Sequence, residues 1–186
     1  MVKNLTYIID CYRSGLLPTP YIQLVKNELS NETIKFARKP RIDRILNYSS
    51  FKDSHLINMK FVNVYFEYSY FEDCLVENCS FETTSFSAAA FQNCVFKNCV
   101  FKDCDLNNVI INETIFNECR FFDTAFSDAG LQSCHFLKPI FEEMDGLFGS
   151  TSLTNSKFSN SKKSLNFEGT VFFFEIFDQI KDLHRD

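Results

Sequence analysis

The side chains of this sequence that could carry out chemistry are its eight cysteines and three histidines. Cysteines can form disulfides, bind metals or act as nucleophiles, and histidines can serve as ligands or bases. The spacing favours none of these roles, because no Cys-x-x-Cys pair and no glycine-rich phosphate loop occurs. Without a convergent set of such groups, we predict that the protein is not an enzyme and holds neither a metal ion nor a cofactor.

A five-residue repeat runs unbroken from residue 49 to residue 141. Every fifth residue from Phe51 to Phe141 is apolar, and fourteen of these nineteen central residues are Phe. The residue two positions earlier is small in seventeen of the nineteen repeats, with Met59 and Pro139 as exceptions. Neither the period of a helix nor that of a flat strand fits this pattern. A chain that turns a corner every five residues fits it, and four such sides make a square coil whose copies stack as parallel strands.

Seven of the eight cysteines occupy the small position, which this coil turns inward. These seven are Cys74, Cys79, Cys94, Cys99, Cys104, Cys119 and Cys134. Residues twenty apart stack, so Cys74 lies over Cys94, and Cys79, Cys99 and Cys119 form a second column. Stacked side chains point the same way, and bridging them would strain the bond. We predict free, buried thiols, which favour a cytoplasmic protein.

The histidines are too far apart to share a metal ion. His55 and His135 fall on one predicted face but four coils apart, about 19 Å at the usual strand spacing. His135 follows Cys134, but adjacent strand residues point to opposite sides, which excludes a Cys–His nucleophile pair there.

The repeated phrases resemble a known family. Asn93-Cys94-Val95-Phe96, Asn98-Cys99-Val100-Phe101 and Asp103-Cys104-Asp105-Leu106 are similar to the pentapeptide-repeat family. That resemblance implies an all-β fold, a right-handed quadrilateral parallel β-helix. This sequence departs from the family in one respect, because Asp, Asn or Glu occupies the second position after the central residue in thirteen of eighteen repeats. Phe-rich members share this style, among them bacterial topoisomerase-protecting proteins and the luminal domain of synaptic vesicle glycoproteins. The run Tyr65-Phe66-Glu67 and Tyr70-Phe71-Glu72-Asp73-Cys74 resembles the luminal domain.

Both ends of the chain depart from the repeat, and we predict that both are helical caps. Residues 1–48 form the N-terminal cap, with helices from Leu5 to about Gly15 and from Tyr21 to Leu29, and a further turn near residues 41–46. The β-helix covers residues 49–172, uninterrupted over 49–141, with a loop at 142–150 and final coils at 151–172. Residues 173–186 form an amphipathic helix, with Phe173–Leu183 as a cap or a dimer contact.

Composition narrows the classes of function. The net charge is −5, and such a mildly acidic rod does not favour nucleic-acid binding. No apolar run of eighteen residues predicts a membrane span, and the N-terminus does not resemble a signal peptide. Five Asn-x-Ser/Thr sequons would matter only in a secretory compartment. They begin at Asn4, Asn31, Asn47, Asn78 and Asn112.

The repeat also maps two outward features. The first is an acidic ring, one carboxylate per side of one coil, made of Glu67, Glu72, Glu77 and Glu82. We expect Lys97 to pair with Glu77 and Lys102 with Glu82 one coil further on. The second is an apolar stripe of Leu75, Val95 and Ile115 between His55 and His135, widened by Phe122 and Leu137. The stripe is either covered by the N-terminal segment or the loop at 142–150, or it is a surface for a partner or a second copy.

These features favour a non-catalytic, cytoplasmic solenoid that acts as a rigid protein-binding scaffold, with a homodimer through the stripe or the C-terminal helix as one form of binding. The resemblance implies two alternatives. One is an acidic DNA mimic that protects or inhibits a type II topoisomerase such as gyrase. The other is a luminal or extracellular recognition domain, which the sequons favour.

Overall fold

The computed structural model describes residues 4–16, 22–36, 46–142, 150–159 and 171–173. They form the helix α1 (Leu5–Arg13) and 21 strands of three residues, numbered β1 to β21 along the chain. Strands recur in groups of three because each of three sides of the coil contributes one strand. All pair in parallel with the equivalent strand of the neighbouring coil, so that three sheets run along the solenoid.

The strands of each sheet follow the order of the chain. Sheet A contains β1 (Gln23–Val25), β4 (Ser50–Lys52), β7 (Tyr70–Glu72), β10 (Ala90–Gln92), β13 (Ile110–Asn112), β16 (Gly130–Gln132), β19 (Ser152–Thr154) and β21 (Val171–Phe173). Sheet B contains β2 (Glu28–Ser30), β5 (His55–Ile57), β8 (Leu75–Glu77), β11 (Val95–Lys97), β14 (Ile115–Asn117), β17 (His135–Leu137) and β20 (Lys157–Ser159). Sheet C contains β3 (Thr33–Lys35), β6 (Lys60–Val62), β9 (Ser80–Glu82), β12 (Val100–Lys102), β15 (Arg120–Phe122) and β18 (Ile140–Glu142).

The fourth side of the coil has single bridges in place of strands. Tyr65, Ser85, Asp105 and Ala125 form this column, each paired with the next. The architecture is therefore the four-sided stack of coils that the repeat predicted, and it matches the right-handed parallel β-helix that the family resemblance implied.

A residue in the left-handed conformation turns the chain at each corner. From Asp53 to Lys138, every fifth residue has a φ between 43° and 58°. Asp and Asn adopt this conformation more readily than other residues with a side chain. The structure thus explains why acidic and amide residues dominate the second position after each central residue.

The central residues form columns of stacked rings inside the coil. The Phe96 ring centroid lies 5.0 Å from that of Phe116 on the next coil, and the two planes are 11° apart. Around the coil the rings meet edge to face, as Phe91 and Phe96 do at 5.5 Å. All of these rings are buried. Offset-stacked and edge-to-face contacts are the favourable geometries for aromatic pairs, which explains why Phe fills the centre.

Helix α1 covers the first coil at the N-terminal end, as predicted for Leu5 to Gly15. Asn4 caps it, since its Oδ1 accepts a hydrogen bond from Tyr7 N at 2.8 Å. Glu32 also caps it from the coil, because Leu5 N and Thr6 N each donate to its carboxylate at 2.9 Å. Gly15 ends it with a φ of 75°, the usual left-handed residue after a helix.

The predicted helix from Tyr21 to Leu29 is wrong. A helix would place Ile22, Val25 and Leu29 on one side, but in the structure Val25 is 56% exposed whereas Ile22 and Leu29 are buried. Strands β1, β2 and β3 occupy this region and pair with β4, β5 and β6 of the next coil. Leu24, Leu29 and Ile34 are buried five residues apart, so the repeat period begins here, and inter-coil hydrogen bonds replace those of a helix.

The other terminal predictions have mixed outcomes. Residues 41–45, most of the loop at 142–150, and residues 174–186 of the predicted C-terminal helix lie outside the described residues. The predicted start of that helix at Phe173 is wrong, because Phe173 is the last residue of strand β21 and continues the pairing of sheet A. Beyond the loop, Leu153 and Phe158 are buried, and their strands pair in line with Leu131 and Phe136. The three-part division of the chain remains a prediction. No helix among the described residues is long and apolar enough to cross a membrane.

Candidate functional site

The seven inward cysteines are buried and unbridged, as predicted. Each thiol lies against the carbonyl of the central residue of the preceding coil, as when Cys94 Sγ donates to Phe71 O at 3.5 Å. Thr124 makes the same bond through its hydroxyl, to Phe101 O at 3.3 Å. Many residues at the inward position therefore donate a hydrogen bond to the preceding coil, whereas Val64, Ala89, Val109 and Ala129 fill the same position by size alone.

The surroundings of five of these thiols make them poor nucleophiles. Burial raises the pKa of Cys104 to about 12 and that of Cys134 to about 11. Hydrogen bonding with the stacked thiol of Cys99, together with burial, raises the pKa of Cys79. A thiol reacts as the thiolate, so thiols with a raised pKa serve packing and hydrogen bonding. Cys74 differs, because a hydrogen bond with the stacked thiol of Cys94 lowers its pKa, although Cys74 is buried as well. Cys11, on α1, is half-buried.

His55 and His135 lie where the register predicted, on one wall of the solenoid. They lie in one outward column of sheet B, with three rungs between them. His55 Nε2 lies 3.0 Å from a carboxylate oxygen of Glu77. In the described part of the chain, no group of three or more His, Cys, Asp and Glu side chains is arranged to hold a metal ion.

The apolar stripe of Leu75, Val95 and Ile115 exists as a continuous column. Val95 pairs with Leu75 on one side and with Ile115 on the other, so all three side chains leave the same wall of sheet B. They are half-buried because each shields its neighbours along the column. Of the two residues expected to widen the stripe, Leu137 lies on the same sheet, whereas Phe122 lies on sheet C beneath the guanidinium of Arg120 at 5.0 Å.

A second outward column on sheet B runs beside the stripe. Its residues, one per strand from β2 to β20, are Ser30, Ile57, Glu77, Lys97, Asn117, Leu137 and Ser159. Ile57 and Leu137 extend the apolar surface at both ends, and Glu77 and Lys97 form an ion pair at 3.0 Å between them. The second column thus adds two apolar corners and one charge pair to the stripe.

The acidic ring has the predicted placement, but its charges are engaged within the wall. Glu72 pairs with Lys52 at 2.8 Å, and Glu82 lies 3.9 Å from Lys60. Lys102 stands beside Glu82 in the strand register as predicted, but the ion pair of Glu82 is with Lys60 on the other side.

The other two carboxylates of the ring are engaged as well. Glu77 accepts from both Lys97 and His55 at 3.0 Å, and these contacts hold the pKa of Glu77 below its usual range. Glu67 accepts from Asn47 Nδ2 at 2.9 Å. The ring is therefore a set of inter-coil contacts and not a free anionic surface.

Sequence reasoning did not identify two exposed features, one near the fourth side and one on sheet A. The rings of Tyr48 and Tyr68 stack at 5.1 Å and are more than half exposed. On sheet A, Ile110 is 56% exposed because it stands between Ala90 and Gly130. The outward position of Ile110, next to the central Ile111, was the signal that could have revealed it.

Square coils, left-handed corners and an interior of stacked rings and small donors define a pentapeptide-repeat protein. A more specific match comes from the sequence. The sequence model of the SV2A/B/C luminal domain matches residues 25–108 and 75–148, which together span residues 25–148. The chain belongs to the family that this sequence model describes, the SV2A/B/C luminal domain.

Solved pentapeptide-repeat structures are distant in sequence. QnrB1, described as a plasmid-mediated fluoroquinolone resistance protein, is 12% identical over 86% of this chain and 98% of its own, with a TM-score of 0.34. Rfr23 from the cyanobacterium Cyanothece 51142 is 12% identical over 66% and 97%, with a TM-score of 0.37. HetL from Nostoc sp. strain PCC 7120 is 9% identical over 91% and 93%, with a TM-score of 0.23. No curated protein sequence matches the chain.

Proposed function

We propose that this protein is a non-catalytic scaffold whose rigid wall binds another protein, and that the stripe of Leu75, Val95 and Ile115 is the contact surface. The observation that carries the proposal is the unbroken apolar column on sheet B. An outward residue contributes nothing to the interior of the solenoid, and aligned apolar side chains on a surface usually serve a contact.

The surroundings of the stripe support this function. The described part of the N-terminal segment is held at the first coil by the bonds between Glu32 and the start of α1, two rungs before Leu75. Sheet B is stiff because its strands pair on both sides along its length. A stiff surface loses little conformational entropy when it binds.

Photo-crosslinking tests the proposal at single positions. A photoreactive amino acid replaces Val95, and in a matched control it replaces Gln92, which lies on sheet A of the same coil. We expect a protein adduct from position 95 and none from position 92. Equal labelling from both positions, or none from either, would contradict a partner surface on sheet B.

The DNA-mimic alternative depends on the acidic ring. Its carboxylates already have Lys, His or Asn partners within the wall, which weakens the resemblance to a line of phosphates. A supercoiling assay with gyrase tests this alternative. We expect no inhibition by the protein, and inhibition that Glu72→Gln relieves would favour the mimic over the scaffold.

The luminal alternative is supported by the match to the SV2A/B/C luminal domain. The sequon residues Asn31 and Asn78 are exposed at corners of the coil, whereas Asn47 is 4% exposed and bonds to Glu67. Expression through a secretory pathway followed by glycopeptide mass spectrometry tests it. Glycans at Asn31 or Asn78 but not at Asn47, on a folded protein, would favour this location.

The buried, unbridged thiols support the cytoplasm instead, because free thiols persist in reducing compartments. Fractionation of cells that produce the protein without any added signal distinguishes the two locations. We expect it in the cytoplasmic fraction, and recovery from a luminal or extracellular fraction would overturn this assignment.

A further inference from the structure

We infer that the outward face of sheet B binds a second copy of this chain, with the two solenoids antiparallel and the two faces in contact. This inference rests on the proposed function, since it names the partner of the same surface. It is carried by the order of residues along the two outward columns, which makes the face complementary to itself.

The first outward column changes in character from end to end. Along β2, β5, β8, β11, β14, β17 and β20 it reads Glu28, His55, Leu75, Val95, Ile115, His135 and Lys157. Its centre is apolar, one end begins with an acid and the other ends with bases. The second column carries the pair Glu77 and Lys97 at adjacent rungs, between the apolar Ile57 and Leu137.

A twofold axis parallel to the strands brings each column against its own copy in reverse order. With the axis between β8 and β11, Leu75 faces Val95 of the second copy, and Glu77 faces Lys97 of the second copy. The same rotation places Glu28 opposite His135 of the second copy. At the two rungs beside the axis, apolar residues thus meet apolar residues and opposite charges meet, each contact occurring twice because such an interface is isologous. One rung further out, His55 faces Ile115 of the second copy and Ile57 faces Asn117 of the second copy.

Other arrangements of two copies are less favourable. A twofold axis along the solenoid would place the apolar stripe against the column that contains Glu77 and Lys97, which would remove these charges from water opposite Leu75 and Val95. Among the described strands, the outward face of sheet A offers no comparable stripe, since Ile110 stands between Ala90 and Gly130. The antiparallel arrangement on sheet B instead places each column against the same column of the second copy, with Glu77 opposite Lys97.

The size of the face sets the expected strength. Sheet B has seven described strands, so the face is about 30 Å long and roughly 10 Å wide before the corners are added. Such a contact is smaller than the roughly 800 Å² per partner of a standard interface. We therefore expect a reversible dimer with a dissociation constant on the order of 10 to 100 μM.

Sedimentation velocity of the full chain from micromolar to near-millimolar concentration tests the association. We expect a concentration-dependent shift from monomer to dimer. Glu77→Lys and Lys97→Glu should each weaken self-association at least about tenfold, because each places like charges opposite one another across the axis. The matched control Lys102→Glu lies on sheet C and should leave the dissociation constant unchanged.

Mixing the two charge variants separates contact between copies from the ion pair within one copy. Neither variant has an intact Glu77–Lys97 pair of its own, but the mixed dimer places opposite charges across both halves of the axis. We expect an equimolar mixture to dimerise more tightly than either variant alone. If the mixture associates no better than its components, the antiparallel register is wrong.

Val95→Asp keeps the inference falsifiable if either charge variant folds poorly. It should abolish self-association while the circular dichroism spectrum stays unchanged. A dimer that survives Val95→Asp would place the contact elsewhere, such as the predicted C-terminal helix, and overturn this inference. If the chain stays monomeric while position 95 still crosslinks to a different protein, this inference fails and the proposed function stands; if position 95 crosslinks to nothing, both fail.

Discussion

Replacing Phe96 by Ala is the most direct test of the inward register. The Phe96 ring is buried in the middle of the solenoid and packs against neighbouring rings. Its centroid lies 5.0 Å from that of Phe116, 5.5 Å from that of Phe91 and 5.8 Å from that of Phe101. Because Phe96 contacts rings of its own coil and of the next coil, the cavity left by Ala cannot collapse unless both coils move.

The expected loss in the free energy of unfolding is about 3–5 kcal/mol, the usual cost of truncating a buried Phe to Ala. In a chain of this size, each kcal/mol lowers the melting temperature by about 2–4 °C. We therefore expect the melting temperature to fall by roughly 6–20 °C. The assay is thermal and urea unfolding followed by circular dichroism.

Lys97→Ala is the matched control because Lys97 is the next residue and points outward. Its side chain is 48% exposed and pairs with Glu77 at 3.0 Å. Exposed pairs contribute little, so the cost should stay below about 0.5 kcal/mol. Phe96→Leu should fall between the two, because it retains most of the apolar volume. Equal unfolding midpoints for Phe96→Ala and Lys97→Ala would refute the register.

The remaining predictions concern thiols and corners. In the native state a thiol reagent should label only Cys11 quickly, and the seven inward thiols should need denaturant; native disulfides found by mass spectrometry would contradict this. The stability that these buried neutral thiols contribute should be fully present below about pH 8.5, where unfolded thiols stay neutral. It should fall as the pH rises toward the raised folded-state pKa values of about 11 for Cys134 and about 12 for Cys104. Cys→Ser changes at both positions should flatten this fall, and an unchanged slope would show that thiol ionisation does not cause it. Ala88 has a φ of 56°, so Ala88→Gly should stabilise by up to about 1 kcal/mol, whereas Ala90→Gly in strand β10 should destabilise by about 0.5–1 kcal/mol. Urea unfolding of both Gly variants checks this, and the same sign for both would be evidence against it.

The sequence predicted the structure best in the part of the chain that repeats. A period of five in apolar and small residues implies a corner every five residues, and that geometry alone predicts the pairing of residues twenty apart. Val95 pairs with Leu75 and Ile115 as expected, and the cysteines face inward for the same reason. Local spacing suffices here because each coil contacts only its two neighbours.

The repeat was harder to see where its length changes. The first coil is 27 residues from the second, since Leu24 pairs with Phe51, and the small inward residue is replaced there by Ile22 and Asn27. Ile22, Val25 and Leu29 are three and four residues apart, and this spacing is also that of one side of a helix. Propensity alone could not decide between the two, because what favours the strands is the sheet edge offered by β4, β5 and β6.

Tertiary structure also decided what the outward charges do. The sequence placed Glu67, Glu72, Glu77 and Glu82 around one coil, but only the folded chain shows that their carboxylates are engaged by partners on neighbouring coils. Glu32 likewise caps α1 from 27 residues away. Period and burial follow from the order of residues along the chain, whereas the partners of a long polar side chain depend on which atoms the fold brings within hydrogen-bonding distance.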